Sequence, residues 1–150
     1  MKRAFITLLG ASAILTGAAV VADPKPEDAV EYRQGIMMAM GWNVGPMGAM
    51  AKGEIPFDAE RFSFHATRVA VLAQMAFEGF PPSSKSAESH AKAAMWDNYP
   101  DFEERMKKLE DSTARLAEIA EAGDKGATLA QFGDTVKVCK GCHDEYQEEH

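Results

Sequence analysis

The most informative spacing of reactive side chains lies near the end of the chain, in the segment VCKGCHDEYQEEH. Cys139 and Cys142 are three positions apart, and His143 directly follows the second cysteine. Two thiols at this spacing can form thioethers with the two vinyl groups of one porphyrin, which places the next histidine under the iron as an axial ligand. The segment therefore predicts one covalently attached haem c, bound by Cys139 and Cys142, with His143 as a metal ligand.

Other uses of a cysteine pair fit this chain less well. A disulfide between Cys139 and Cys142 would close a very small loop and contribute little stability. A thioredoxin-type redox pair needs a strand just before its helix, and a zinc site needs a second pair of ligands, neither of which the sequence offers. Haem attachment remains the favoured interpretation of the pair.

The first residues have the features of a secretory signal peptide. Lys2 and Arg3 precede an apolar run that ends in small residues at Ala22, where cleavage is expected. The predicted mature chain, residues 23–150, is a single domain that carries 14 basic and 23 acidic residues, a net charge of −9. This acidity argues against nucleic acid or anionic membranes as partners, and export predicts a periplasmic protein with no stable membrane insertion.

The periodicity of the mature chain predicts an all-α fold, an antiparallel up-down-up-down four-helix bundle. The first helix begins at Pro26, with a bend near Pro46 and a sevenfold apolar stripe at Val30, Met37, Val44 and Ala51. The inner face of the second helix is predicted to consist of Phe62, Ala66, Val69, Ala73 and Ala76. That of the third is predicted to consist of Phe102, Met106, Leu109, Thr113, Leu116 and Ala120. The fourth carries Leu129, Phe132, Val136, Cys139, Cys142, His143 and Tyr146.

A sixth iron ligand has to come from upstream of the haem motif, because few residues follow His143. In an antiparallel bundle, the early part of the first helix lies level with the late part of the fourth, and this window contains Met37, Met38 and Met40. Met37 belongs to the predicted inner stripe, and Gly41, one turn later, leaves room for a flat macrocycle. Met37 is therefore predicted as the second metal ligand, with core packing as the alternative, since methionine is a common filler of helical cores.

Three stretches, AVEYRQGIMMAM with AKGEIPFD, MWDNYPDF and VCKGCHDEY, resemble the class II c-type cytochromes, the cytochrome c′ family, over the whole mature chain. With a methionine at position 37, the chain is most similar to the low-spin cytochrome c-556 branch. The resemblance implies that Arg33 is a cofactor-binding residue near the haem propionates. The family usually has a basic residue four positions after the haem histidine, and Gln147 departs from that pattern.

The remaining histidines and aromatic residues are expected to have structural roles. His65 is predicted to be hydrogen-bonded or solvated, whereas His90 and His150 are predicted at the surface. Trp96 and Tyr146 are expected to pack beside the haem.

These features predict a non-enzymatic periplasmic electron carrier with His143 and Met37 on the iron, which exchanges electrons with periplasmic redox partners as a monomer or homodimer. The alternative is a five-coordinate, high-spin cytochrome c′ that binds nitric oxide or carbon monoxide. A third reading is a partner-binding helical bundle whose cysteines are incidental.

Overall fold

A computed structural model describes residues 24–149, so the predicted signal peptide at residues 1–22 and His150 lie outside the described residues. Within this range the helices are α1 (Pro26–Lys52), α2 (Ala59–Ala76), α3 (Ala93–Asp97), α4 (Tyr99–Glu121) and α5 (Lys125–Tyr146). Two short 3-10 helices, Phe77–Gly79 and Pro82–Ser86, lie between α2 and α3. The four long helices confirm the predicted all-α bundle.

Local sequence signals account for the ends of these helices. Pro26 begins α1, where the backbone N–H that proline lacks would have had no partner within the helix. Asp58 and Asp124 cap α2 and α5, because each carboxylate accepts a hydrogen bond from the backbone N–H three residues later. The helix α1 continues through Pro46, and the bend expected there stays a prediction.

The inner faces of α2 and α4 are those predicted from the spacing of their apolar residues. Every predicted position is buried: Phe62, Ala66, Val69, Ala73 and Ala76 on α2, and Phe102, Met106, Leu109, Thr113, Leu116 and Ala120 on α4. The ring of Phe62 meets that of Phe132 on α5 edge to face, with 5.5 Å between the ring centroids. These two faces form the centre of the hydrophobic core.

The buried face of α1 differs from the predicted sevenfold stripe. Val30 is buried, but Met37 and Val44 are half-buried and Ala51 is exposed. The other buried side chains of the helix are Ala29, Arg33, Ile36, Met40, Asn43, Met47 and Met50. The prediction was right at Val30 and wrong at Ala51, whereas Met37 and Val44 pack against the core but also line a cavity. The stripe is therefore only partly buried, because α1 borders two environments.

The helix α5 is divided in the same way. Its buried side chains are Thr128, Phe132, Thr135 and Tyr146, and the hydroxyl of Thr135 lies 2.9 Å from that of Ser112 on α4. Val136, predicted on the inner face, is partly exposed and lines the cavity. The hydrogen bond between Thr135 and Ser112 holds this side of α5 against α4. The adjacent side of α5, which includes Val136, therefore faces the cavity.

The order of packing within the bundle explains why a cavity exists. In the described part of the chain, α1 packs closely on α2, α2 on α4, and α4 on α5, whereas α1 and α5 do not form a close pair. The space between α1 and α5 is the cavity, and α4 forms its floor through Arg105, Met106 and Leu109.

The segment between α2 and α4 is a structured connection held by hydrogen bonds. The hydroxyl of Tyr99 donates to the carbonyl of Phe80 at 2.7 Å. The backbone N–H of Lys92 donates to Tyr146 O at 2.9 Å, and that of Glu148 donates to His90 O at 2.9 Å. These bonds close the bundle end at which the haem motif lies.

Candidate haem site

The helical spacing of the haem motif places its reactive side chains on one side of α5. Cys139, Cys142 and His143 are related by three and four positions, so they share a helix face. All three line the cavity between α1 and α5, which has a volume of about 570 Å³. Ligand and cofactor sites typically have volumes of about 300–1,000 Å³. The cavity is therefore of a size that suits a porphyrin.

The surroundings of the motif favour neutral forms of its side chains. Both cysteines are half-buried, and before haem attachment burial raises the pKa of each thiol, although the nearby Arg105 guanidinium acts in the opposite sense on Cys142. Partial loss of water lowers the pKa of His143, although its side chain remains accessible. A neutral imidazole is the form that ligates metals.

The three methionines predicted in the ligand window all line the cavity, but in different environments. Met38 is 76% exposed and Met40 is 6% exposed, whereas Met37 is half-buried and packs against the edge of the core. Met40 is therefore a core residue, and Met38 lies at the rim. The exposure of Met37 is intermediate between those of Met38 and Met40. Its ligation to iron stays a prediction.

Gly41 leaves open space beside Met37, as predicted. It lines the cavity, and a Cβ atom built on it would meet no atom of the rest of the protein within 4 Å. The glycine thus widens the wall of α1 at the place where a flat ring or a small ligand would need room.

Arg33 is an unusual charged residue, because it is 4% exposed. One guanidinium nitrogen, Nη1, donates to Gly79 O at 3.0 Å and to Ser84 Oγ at 2.9 Å. The guanidinium also lies over the ring of Phe80, 4.9 Å from its centroid. The other nitrogen, Nη2, is buried without a hydrogen-bond partner in the protein.

A second polar cluster, which the sequence reasoning missed, lies where α4 meets the end of α5. Arg105 Nε donates to Asp101 Oδ2 at 2.6 Å, and Arg105 Nη1 donates to Gly141 O at 3.1 Å. The Tyr146 hydroxyl also donates to Asp101 Oδ2. The four-residue spacing of Asp101 and Arg105 was a visible signal of an ion pair, but nothing in the sequence connected it to α5.

His65 has the hydrogen-bonded role predicted for it. It is buried, does not line the haem cavity, and its Nδ1 lies 3.0 Å from Asn43 Oδ1. Because Asn43 Nδ2 donates to Ala39 O, its oxygen faces the ring, so Nδ1 of His65 is the donor. Burial, followed by the charges of Arg61 and Arg68, lowers the pKa of His65.

The predictions for the other singled-out residues have mixed outcomes. His90 is exposed, as expected, but it also lines the cavity. Tyr146 is buried in the cavity wall, as expected. Trp96 stacks on Tyr99, with 5.9 Å between the ring centroids, and is not among the residues that line the cavity, so its packing beside the haem stays a prediction.

Comparison with known protein families shows to which family the chain belongs. The family model described as Cytochrome C' matches residues 28–147. The chain belongs to the cytochrome c′ family. It is 39% identical to cytochrome c′ of Halomonas halodenitrificans over 131 residues, which cover 83% of this chain and 99% of that protein.

Solved cytochromes c′ have the same fold. Cytochrome c prime from Shewanella frigidimarina is 41% identical, with a TM-score of 0.80, covering 83% of this chain and 98% of that chain. A nitric oxide complex of a point mutant of cytochrome c prime from Alcaligenes xylosoxidans is 31% identical, with a TM-score of 0.78, covering 84% of this chain and 98% of that chain. The c-556 branch is represented more distantly, by a protein of Agrobacterium tumefaciens that is 32% identical over 79% of this chain and 95% of its own length.

As a member of the cytochrome c′ family, the protein carries one covalently bound haem c, and the cavity fits that group. Cys139 and Cys142 are the only cysteines in the sequence, and they lie on the cavity wall. The partnerless Nη2 of Arg33, whose side chain lines the same cavity, calls for an acceptor, preferably an anionic one. The carboxylates of a haem would supply it, which supports the role predicted for Arg33.

Proposed function

We propose that this cytochrome c′ family protein binds nitric oxide or carbon monoxide at a five-coordinate haem iron, with His143 as its protein ligand. The observation that carries the proposal is the combination of the haem cavity with close relatives that are named cytochrome c′. Among the solved relatives are nitric oxide complexes of the Alcaligenes xylosoxidans protein. This function was the alternative to the electron carrier predicted from the sequence, and the comparisons favour it.

The residues of the chain have distinct tasks in this proposal. Cys139 and Cys142 hold the haem to α5, and Arg33 Nη2 binds a propionate. Bound haem supplies an iron with one coordination position left for a diatomic ligand. The apolar cavity surface around Met37, Met40 and Val44 excludes water and charged species, and a small neutral molecule loses little solvation on entering it.

The predicted electron carrier remains the second candidate, and Met37 is the observation that favours it. Its thioether is on the cavity wall, half-buried, and next to the space left by Gly41. If the sulfur ligates iron, the haem is six-coordinate, and methionine ligation raises the reduction potential. Relatives named cytochrome c-556 and cytochrome c-554, at 32% and 30% identity, give this candidate limited support.

Optical spectroscopy of the haem-loaded protein separates the two candidates. The gas-binding proposal expects a high-spin spectrum in both oxidation states and rapid binding of carbon monoxide to the reduced protein. In this case Met37→Leu leaves the spin state unchanged, because the sulfur is not a ligand, and costs less than about 1.5 kcal/mol of stability as a near-isosteric apolar swap.

Met38→Leu is the matched control, because Met38 also lines the cavity but is largely exposed at its rim. A low-spin wild type that becomes high-spin in Met37→Leu, with Met38→Leu unchanged, would overturn the gas-binding proposal and establish the electron carrier. A low-spin spectrum that is lost in Met40→Leu instead would identify Met40 as the ligand.

We also propose that the protein is exported to the periplasm and acts without enzymatic turnover. The signal peptide predicted at residues 1–22 supports export, and cytochromes c′ are typically periplasmic. Among residues 24–149, no helix has the length and apolar character needed to cross a membrane. The redox partners and the monomeric or dimeric state stay predictions. Sedimentation of the purified holoprotein would test the oligomeric state.

A further inference from the structure

Four side chains and one carbonyl form a continuous polar network between the start of α4 and the end of α5. This network, called here the α4–α5 clamp, consists of Asn98, Asp101, Arg105, Tyr146 and the carbonyl of Gly141. Asp101 Oδ2 accepts hydrogen bonds from both Arg105 Nε and the Tyr146 hydroxyl, and that hydroxyl accepts from Asn98 Nδ2 at 3.2 Å. The guanidinium also lies 5.4 Å from the centroid of the Tyr146 ring.

The clamp restricts the guanidinium of Arg105 in both position and orientation. Its Nε is directed to Asp101 on its own helix, and its Nη1 is directed to Gly141 on the neighbouring helix. Because the donors of a guanidinium have a fixed planar arrangement, two bonds in different directions leave it little freedom. A lysine at this position could reach one of these acceptors, but it could not reproduce the geometry.

The location of the clamp connects it to the haem. Arg105 and Tyr146 line the cavity together with Cys142 and His143. Gly141 immediately precedes Cys142, so a hydrogen bond to its carbonyl fixes the turn of α5 that carries a haem-binding cysteine and the axial histidine. Arg105 therefore holds this turn against α4 and also places a permanent positive charge on the cavity wall.

The other ion pairs on α4 do not have this location. Lys108 Nζ lies 2.6 Å from Glu104 Oε1, but both side chains are more than 60% exposed and neither lines the cavity. The side chains of Arg105 and Asp101 are 32% and 37% exposed, and their pair continues into α5. Exposed pairs contribute about 0–1 kcal/mol, which makes the Glu104–Lys108 pair a suitable control.

We propose that Arg105, fixed by Asp101 and Tyr146, is a positioning residue that orients the His143 turn of α5 and tunes the haem reduction potential through its charge. A nearby cation disfavours the oxidised haem, which carries one more positive charge, and therefore raises the potential. The carboxylate of Asp101 opposes this effect. The proposal rests on haem attachment at Cys139 and Cys142. Its charge effect does not depend on the distal ligand, whereas the positioning test uses the five-coordinate iron of the proposed function.

Spectroelectrochemical titration of the holoprotein tests the charge effect through two variants of opposite sign. Arg105→Met removes the cation and is expected to lower the midpoint potential, whereas Asp101→Asn removes the opposing anion and is expected to raise it. Arg105→Lys retains a charge and is expected to restore most of the potential lost in Arg105→Met. A purely structural disturbance of the α4–α5 contact would instead shift the midpoint potentials of Arg105→Met and Asp101→Asn in the same direction.

The iron–histidine stretching band in resonance Raman spectra of the reduced protein tests positioning. Arg105→Met and Arg105→Lys are both expected to shift or broaden this band, because neither can hold Gly141 O and Asp101 together. If Arg105→Met does not take up haem, Asp101→Asn and Arg105→Lys still report both effects. The band is seen only when the reduced iron is five-coordinate, so its absence from the wild type would contradict the proposed function, while the potential shifts would still test the charge effect.

Lys108→Met is the control for a general effect of removing one surface cation. It is expected to change the potential less than Arg105→Met, and that change should vanish in high salt, since exposed charges are screened. Equal shifts in Lys108→Met and Arg105→Met, shifts of one sign in Arg105→Met and Asp101→Asn, or an unchanged iron–histidine band would each overturn the proposal.

Discussion

Arg33 is a buried cation whose side chain also lines the haem cavity. Its Nη1 bonds to Gly79 and Ser84 hold the segment after α2 against α1, while its Nη2 is buried without a hydrogen-bond partner in the protein. Burial lowers the pKa of the guanidinium, which nevertheless stays charged, as arginine does in proteins. The Nη1 bonds thus fix the position of this charge at the cavity wall.

Replacement of Arg33 by methionine should affect both stability and haem environment. The variant leaves Gly79 O and Ser84 Oγ without their donor, and hydrogen bonds to charged groups contribute about 1.5–3 kcal/mol each. We expect a loss of about 2–4 kcal/mol in urea unfolding of the holoprotein, given partial compensation by water. Arg33→Lys should recover part of this loss, and full stability in Arg33→Met would contradict the role of these bonds.

His65 predicts a pH dependence of stability that is independent of the haem. Its pKa in the folded protein is lowered from the usual value near 6.5, so the unfolded chain binds a proton more readily. The contribution of His65 is therefore complete above about pH 6.5 and is lost as the pH falls below that value toward the folded pKa. The groups facing the ring are Asn43 by hydrogen bond and Arg61 and Arg68 by charge.

Thermal unfolding of wild type and His65→Gln checks this effect. Between pH 7.5 and pH 5, we expect the melting temperature of the wild type to fall by more than that of the variant. Gln retains a donor for Asn43 but does not titrate, so carboxylate effects common to both proteins cancel in the difference. Parallel pH profiles would show that His65 does not contribute.

At the scale of elements, Gly79 marks the closest approach between α1 and the segment that follows α2. A Cβ atom at this position would lie 2.5 Å from Cβ of Arg33, closer than such atoms approach in real proteins. The contact cannot relax through a flexible side-chain end, because the obstructing atoms belong to Arg33 Cβ and backbone. The glycine therefore allows the Arg33 guanidinium to reach Gly79 O.

Gly79→Ala should push this segment away from α1 and weaken the Arg33 bonds. We expect a loss of about 1–3 kcal/mol in urea unfolding, as for overpacked sites. Gly35→Ala is the control on the same helix as Arg33, because a Cβ there meets no atom within 4 Å. In a helix interior this change should stabilise the protein by about 1 kcal/mol. Similar effects of the two substitutions would argue against a steric role for Gly79.

At the scale of the whole molecule, the cavity replaces a helix–helix interface. The described parts of α1 and α5 are not in close contact, and the apolar cavity walls include residues from both helices, such as Met37 and Cys139. Haem that fills this space joins the two helices, so its burial is part of folding. Covalent attachment makes this contribution permanent.

Removal of the haem should therefore lower stability more than any single substitution above. Protein with Cys139→Ser and Cys142→Ser, produced without haem, is expected to melt at least about 16 °C lower than holoprotein, since 1 kcal/mol corresponds to about 4 °C in a domain of this size and the largest single effect above is about 4 kcal/mol. Differential scanning calorimetry and binding of a hydrophobic dye would detect the loss and the exposed cavity walls. Equal melting temperatures would show that the cysteines are incidental to folding.

The sequence by itself was sufficient for features that depend on local or periodic information. The spacing of Cys139, Cys142 and His143 predicted the cofactor, and Pro26 predicted a helix start that the structure confirms. The inner faces of α2 and α4 followed from their apolar spacing, because on each helix a single apolar face is buried. On α4 that same face also forms the cavity floor.

Tertiary structure alone decided the features that depend on contacts distant in the chain. The buried face of α1 could not be assigned by periodicity, because that helix contacts both core and cavity. Arg33 meets Gly79, and Tyr146 meets Asp101, across separations of 46 and 45 residues. No local pattern encodes such pairs, because a hydrogen bond between distant residues forms only after the helices that carry them have packed.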